Sequence, residues 1–345
     1  MSAANKKVSL HDIAEAAGVS AITVSRALDT RRSSMILPAT LEKITAIAQK
    51  MNYSSNLAAR RFKKGRTETI SVAIPQSVFR TSPYNEFSSN TSILFWQIME
   101  GLIKTAKHLN YDIKIEPFFD PEKPEALLKS FGPPYSDGVI FIGPEDFQDV
   151  IQATSARELP CILLCTEPSG FEKIPEISFD LNPGISAAVD ALVKKKRKKV
   201  AFIGPSALDF SKSHRFDVFI RFLKNAGIYS EDLFFALKTM KELRAVIAKY
   251  KKAVPFDAVV CHNDTMASYF INELEENSIT VPHDVSVIGF DNNPVYKNLN
   301  LSTISLSRFE IGKHTVELLI NIIEGKTIFN DKKFLDSSFT GGATC

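Results

Sequence analysis

The chain has 345 residues, 44% of them hydrophobic and 23% charged, a length suited to two or three soluble domains and too great for one ordinary domain. No run approaches 18 consecutive apolar residues, so no membrane span is expected, and the opening MSAANKKVSLHD lacks the apolar core of a signal peptide. The net charge of +3 conceals a division: residues 1–67 hold twelve Lys/Arg against four acids, net +8, whereas the remainder holds 30 against 35, net −5.

A basic head on a mildly acidic body points to a polyanionic partner for the head alone. Residues 9–28 read as two short helices. Ser9 followed by Asp12 is a capping-box start, and Leu10, Ile13, Ala14 and Ala17 share one helical face. Gly18 ends the first helix, and Ser20 caps a second whose Val24 and Leu28 point inward with Val19. A third helix is expected from Pro38 through Met51 on the stripe Leu41, Ile44, Ile47 and Ala48. Together these form a small all-α unit. The spacing Ala14-x3-Gly18-x5-Val24 is that of a helix-turn-helix: a small residue lets the helices approach, glycine takes the tight turn, and a branched residue packs the second helix on the first. Its second helix would enter a major groove and expose Ala21, Ile22 and Arg26. Arg26 suits bidentate pairing with guanine, and Ala21 and Ile22 suit thymine methyls. Ser20, Thr23 and Ser25 suit phosphates.

The next stretch, SSNLAARRFKKGRT (54–67), is a linker by position and a helix by propensity, and its composition alone does not decide between them. From Thr69 the pattern changes. TISVAIP, DIKIEPF, GVIFIG, PCILLC, KVAFIG, FDAVVCHND and VSVIGFD are strand-like runs, and helical stretches such as 94–109, 183–196, 215–226, 240–252 and 264–277 lie between most of them. Strands alternating with helices imply a parallel sheet covered on both faces. VIFIGPED, VAFIGPSA and VIGFDNNP place a glycine and polar residues just past a strand's carboxyl end, where open α/β sheets bind ligands. The strands fall into two similar runs, 69–165 and 175–292, which predicts two lobes with a cleft between them.

Several features point away from other classes. The basic run KKKRKK (194–199) follows a helical stretch and precedes a strand, so it reads as cations at a helix C-terminus before a surface turn. His262, Asn263 and Asp264 have no second histidine at ligand spacing and no adjoining nucleophile motif, so neither metal binding nor catalysis is expected. SVAIPQSVF, at the end of the first strand, contains no glycine, which disfavours an enzyme with a nucleotide cofactor. No cofactor is expected. Cys161, Cys165, Cys261 and Cys345 lack zinc-type spacing and read as buried thiols of a reducing cytoplasm.

VSLHDIAEAAGVSAITVSRAL, followed by NYSSNLAARRFKKGRT, resembles the head and hinge of the lac/gal repressor family of bacterial transcription regulators. FDAVVCHNDTMA and VPHDVSVIGFDNNP resemble landmarks of that family's regulatory domain, so the likeness spans nearly the whole chain. The resemblance implies a helix-turn-helix head (1–54), a hinge helix and linker (55–67), and a periplasmic-binding-protein-like body (68–345) of two doubly wound parallel-sheet lobes. Lobe one is expected at about 68–165 and 295–325, and lobe two at about 166–294 and 326–345. It also implies a cytoplasmic homodimer, paired through helix 94–109 and the segment 297–323, that binds double-stranded palindromic operator DNA. The two lobes close on a small effector, usually a sugar or a nucleotide-derived metabolite. A sugar-binding module without DNA function is the alternative, and the basic head argues against it.

Residue by residue, Asn56, Ala59 and Arg60 match the family's hinge, which pairs with its twin in the minor groove. The apolar wedge position, normally leucine, is Phe62, with Arg60, Arg61, Lys63 and Lys64 placed for phosphates. The connection DTRRSSMILPATLEK is longer than usual, with Leu37 in place of a capping serine or threonine and Leu41 in place of an arginine. In the second lobe, Asp180, Arg215, Asn263 and Asp291 match effector contacts, a set suited to hydroxyl recognition. In the first lobe, Gln76 ends the first strand and Phe95 matches a ligand-stacking aromatic, while the long segment 77–93 is read as a lid or altered rim.

Overall fold

The computed structural model describes residues 8–28, 33–53, 65–75, 91–118, 124–165, 169–171, 173–204, 214–230, 232–250, 254–326 and 332–345. The chain divides into two compact units, Met1–Arg66 and Thr67–Cys345.

In the first unit, helix α1 (Leu10–Ala17) begins with the expected capping box. The Asp12 N–H donates to Ser9 Oγ (3.3 Å), and the Ser9 N–H donates to Asp12 Oδ2 (2.7 Å). Gly18 ends the helix at φ 69°, a left-handed conformation that a side chain would strain. In α2 (Ala21–Ala27), Ser20 Oγ accepts the Thr23 N–H at 3.1 Å. Helix α3 (Pro38–Lys50) starts on proline, and Leu37 gives no side-chain cap, as its replacement of a capping residue predicts. Ile13, Val24 and Ile44, all fully buried, meet among Ala14, Ala17, Ala27 and Ala48. Each of the three large side chains contributes about 1.5–3 kcal/mol of burial, and the alanines let the helices approach closely enough to bury them.

The second unit holds two sheets, each six-stranded among the described residues. The first comprises β1 (Thr69–Pro75), β2 (Asp112–Phe118), β3 (Gly138–Ile142), β4 (Cys161–Leu164), β5 (Glu176–Asp180) and β11 (Lys332–Asp336), in the order β2-β1-β3-β4-β5-β11, all parallel. The second comprises β6 (Val200–Gly204), β7 (Phe234–Ala236), β8 (Ala258–Cys261), β9 (Ser286–Phe290), β10 (Ser302–Ser305) and β12 (Ser338–Thr340), in the order β7-β6-β8-β9-β10-β12. Only the β10–β12 pair is antiparallel. Helices α4 (Thr91–His108), α5 (Pro124–Leu128), α6 (Gln148–Ala156) and α11 (Arg308–Ile323) attend the first sheet. Helices α7 (Asn182–Lys194), α8 (His214–Asn225), α9 (Met240–Tyr250) and α10 (Asp264–Glu276) attend the second. Both sheets are covered on two faces, which explains the near-continuous apolar runs of β3, β6, β8 and β9.

The lobe boundaries differ from those expected from the sequence. Strand 176–180, expected in lobe two, pairs with β4 and belongs to the first sheet. Strand 332–336, also expected in lobe two, pairs with β5, while strand 302–305, expected in lobe one, pairs with β9. The chain therefore passes between sheets after β5, between β10 and α11, and between β11 and β12. Strand pairing is a long-range choice that local apolar patterning does not specify.

Between β10 and β11, α11 lies against α4 with almost no space between their backbones. A Cβ on Gly101 would sit 2.1 Å from the Phe309 carbonyl oxygen, and one on Gly312 would sit 2.3 Å from that of Ile98. Glycine at both points is what lets the two helices touch. That contact fixes α11, whose first residue is Arg308.

Candidate functional site

Two regions gather the residues singled out above, and the first is the exposed side of α2. Val24 and Ala27 are buried, which turns Ile22, Ser25 and Arg26, spaced three and four apart, outward on one face. Ile22 is 65% exposed, an isoleucine held in water beside an arginine. Ala21 and Thr23 are half-buried, and Thr23 Oγ1 lies 2.8 Å from the exposed Ser20 Oγ at the helix start. A cation with an apolar contact at the first turns of a helix matches the donor-plus-methyl pattern of base edges in a major groove. Met35 and Leu37, in the connection to α3, are each 75% exposed. The departure at Leu37 is visible in the sequence, but this apolar exposure is not. Asn56, Ala59, Arg60, Phe62 and Lys63 lie outside the described residues.

The second region is the carboxyl edge of the second sheet. Its order β7-β6-β8 reverses direction between β6 and β8, and the crevice outside such a switch point is where doubly wound sheets hold ligands. Asn263, just past β8, is buried and caps α10, its Oδ1 accepting the Met266 N–H at 2.8 Å. Arg215, in the first turn of α8, donates from Nη1 to the His262 carbonyl at 2.8 Å, and its guanidinium stacks 3.6 Å from the Phe290 ring centroid. Asp291, just past β9, is held at φ 108° by its N–H bond to the Ile304 carbonyl (2.8 Å). Such backbone strain in a non-glycine residue costs of order 1–3 kcal/mol and persists only where the surroundings fix it.

The fixing group is one that sequence reasoning misses. Arg308, the first residue of α11, donates from Nη1 to the Asp291 carbonyl (2.9 Å) and from Nη2 to Asp291 Oδ1 (2.6 Å). Arg215 Nη2 approaches the same oxygen at 3.9 Å. A lone arginine at the start of an amphipathic stretch carries no local signal of burial, so nothing in LSRFEIG could have identified it.

Beneath this edge the buried groups have displaced acidities. Burial pushes the Asp264 carboxyl up to about 7, against the hydrogen bonds it accepts from Thr303 Oγ1 (2.6 Å) and the Asn293 N–H (2.6 Å). Burial, and then the Arg215 charge, bring His262 down to about 3, so its ring is neutral at ordinary pH. Gly289 is required here, because a Cβ on it would lie 2.1 Å from Asp264 Oδ1.

The remaining predicted cleft residues are placed differently. Asp180 ends a strand of the first sheet, not the second lobe, and its Oδ1 accepts both the backbone N–H (2.9 Å) and the side-chain amide (2.6 Å) of Asn182. Phe95, expected to stack on a ligand, is only 8% exposed and packs in the core, edge-on to the half-exposed Trp96 at 5.7 Å. Its position on α4, between the sheet and α11, draws the ring inward. Gln76 and most of the 77–93 segment lie outside the described residues. No group of three or more His, Cys, Asp or Glu that could hold a metal ion occurs among the described residues, and no described helix is long and apolar enough to cross a membrane.

Comparisons with known proteins concern the two units of the chain. The model for bacterial regulatory proteins of the lacI family matches residues 9–56, and that for a periplasmic binding protein-like domain matches residues 189–345. The chain is 26% identical over 330 residues to the HTH-type transcriptional regulator RegA of Clostridium saccharobutylicum, covering 93% of this chain and 94% of that protein. The fold is that of the Lac repressor dimer bound to operator and the anti-inducer ONPF, with a TM-score of 0.70 at 23% identity over 98% of this chain and 99% of that one. A complex of the transcriptional regulator CelR with cellobiose gives 0.63 at 20% identity over 98% and 100%.

Proposed function

We propose, on the premise that this chain belongs to the lacI family of bacterial regulatory proteins, that it is a transcriptional repressor that binds a palindromic operator as a homodimer and answers to a small sugar or sugar derivative held between its two lobes. The observation that carries the reading is the exposed face of Ile22, Ser25 and Arg26 on the second helix of a helix-turn-helix within a unit of net charge +8. Arg26 reads guanine, Ala21 and Ile22 contact thymine methyls, and Ser20, Thr23 and Ser25 hold phosphates. Asn56, Ala59, Arg60 and Lys63 track the minor groove around Phe62, which acts as the wedge.

In the body, Arg215, Asn263 and Asp291 face the effector from one sheet, with Asp180 and Gln76 contributed by the other. The effector changes operator affinity only as far as it binds the two lobe arrangements unequally. An enzyme reading gains no support from this edge, where the Asp264 carboxyl is tied to Thr303 Oγ1 and the Asn293 N–H and the Asp291 carboxylate to Arg308. With DNA as its partner, the protein acts in the cytoplasm.

Fluorescence anisotropy on a panel of operator variants tests the reading. Arg26→Ala is expected to relax discrimination at one base pair by about 1–3 kcal/mol, whereas Lys63→Ala weakens all sequences alike and lowers the salt slope by about one. Unchanged discrimination in Arg26→Ala would overturn the placement of α2 in the groove.

A further inference from the structure

The chain leaves the second sheet for the first between β10 and α11, and Leu306 and Ser307 alone stand between the end of that strand and Arg308. Leu306 is buried in the core, and its carbonyl accepts the Arg308 N–H at 2.8 Å. By its backbone Arg308 belongs to the first lobe, and its side chain reaches back to the second. Nη1 donates to the Asp291 carbonyl at 2.9 Å and Nη2 to Asp291 Oδ1 at 2.6 Å, and both side chains are buried. Asp291 is in turn bound to β10, the strand before the crossing, through its N–H on the Ile304 carbonyl.

Stability alone does not account for this pair. Taking two charges out of water offsets much of their attraction, and an apolar pair of similar volume would hold a core as well. The helix start does not benefit either. Ser307 gives α11 no side-chain cap, and a cation in the first turn opposes the helix dipole. What the pair supplies is position. One guanidinium on both a carbonyl and a carboxylate oxygen fixes the backbone and the side chain of Asp291 together, at a φ of 108°.

On its other side Arg308 is joined to the first lobe without slack. Gly101 and Gly312 bring the backbones of α4 and α11 into contact, and a Cβ on Gly138, at the start of β3, would lie 3.0 Å from Ile323 and 3.1 Å from Leu319 of α11. A shift in the first turn of α11 is therefore carried to α4, because close-packed elements move together rather than deform. At the other two crossings the tie involves backbone groups: the Ser337 N–H donates to the Asp180 carbonyl (2.8 Å), and the Gly184 N–H to Ser337 Oγ (3.0 Å). At the crossing into α11 the tie is a side chain on a cleft residue. Arg215 approaches Asp291 Oδ1 at 3.9 Å from α8 of the second lobe, so it does not bridge the lobes.

We infer, resting on the reading of Asp291 as an effector contact, that Arg308 is a positioning residue that clasps the effector edge of the second sheet to the α4–α11 pair, so that a displacement of Asp291 is transmitted to the first lobe.

Hydrogen exchange of the full chain, followed peptide by peptide, tests the clasp whatever the effector is. Asp291→Asn is expected to speed exchange in the first turn of α11 and in α4 by at least about fivefold. Arg308→Lys retains the charge without the planar fork and should do the same, whereas a residue needed for its charge alone would be rescued by lysine. In an Arg308→Leu background, Asp291→Asn should add nothing in α4. Gly227→Ala, at a left-handed turn of the second lobe, reports general loss of stability and should leave α4 unchanged relative to the rest of the body. Unaltered α4 in Asp291→Asn, wild-type exchange in Arg308→Lys, or further speeding of α4 when Asp291→Asn is added to Arg308→Leu would each overturn the inference.

Operator affinity is the second readout, on a duplex that the wild type selects from random-sequence DNA without effector. Loosening the clasp populates lobe arrangements that do not hold this duplex, so Arg308→Lys should bind it at least about fivefold more weakly with unchanged base preference. Affinity within about twofold of wild type would remove Arg308 from the response to effector. A wild type that selects no duplex would count against the operator reading alone, and the exchange result would still decide the clasp.

Discussion

Asp264 and His262 lie two residues apart in the chain beneath the carboxyl edge of the second sheet and titrate in opposed senses, which gives a sharp test of the electrostatics. Asp264 moves from 3.8 up to about 7 on burial, so between those values the folded chain holds a proton that the unfolded chain has released. Stability from this group therefore falls as pH rises through that window, by about 1.4 kcal/mol per unit. His262 moves from 6.5 down to about 3, so between those values the unfolded chain holds the extra proton and stability rises with pH at the same rate. From pH 5 to 6 the two slopes cancel in the native protein. Asp264→Asn removes the first, so its stability should climb relative to wild type by about 1.4 kcal/mol per unit. His262→Gln removes the second and should fall relative to wild type at a similar rate. Each variant also carries a constant offset, about 1–3 kcal/mol for the altered hydrogen bonds of Asp264, which does not affect the slope. Urea unfolding at pH 5.0, 5.5 and 6.0, read from Trp96, measures both differences, and groups that titrate alike in all three proteins drop out of the comparison. Asp264→Asn running parallel to wild type would refute the claim that burial holds this carboxyl protonated.

Gly312→Ala would force a methyl group to 2.3 Å from the Ile98 carbonyl, so α4 and α11 must separate, with a loss of about 3 kcal/mol in chemical denaturation. Gly227→Ala, at φ 68° with open space around its Cβ, should cost only the strain of the left-handed backbone, about 1–2 kcal/mol; equal losses would undo the packing argument. In the hinge, Phe62→Leu should preserve operator affinity while changing the preferred central base step, and Phe62→Ala should weaken binding. Full affinity in the alanine variant would remove the wedge from the mechanism.

The head was legible because its signals are local. Ser9 with Asp12, Gly18 at a left-handed turn, Ser20 at a cap and Pro38 at a first turn each act within one helical turn, and the structure shows each of them in that role. The same holds for the alternation of strands and helices in the body, since a strand buried on both faces must be apolar along its whole length. Strand partners are a different matter. Nothing within residues 176–180 or 332–336 states that they lie side by side, because that pairing depends on two passages of the chain between sheets, after β5 and between β10 and α11.

The cleft divides in the same way. Arg215, Asn263 and Asp291 were singled out by the resemblance to the family's regulatory domain, and the structure sets them at strand or helix ends. Phe95 could not be sorted from Trp96 by composition, and only the seating of α4 turned one ring into the core and left the other half in water. By itself the sequence determined a basic helix-turn-helix head and an α/β body, both consequences of short-range sterics and periodicity. Tertiary structure alone decided that Arg308, 17 residues beyond Asp291, returns to bind it, because that meeting requires α11 to cross from one sheet to the other before its first residue can reach the strand end.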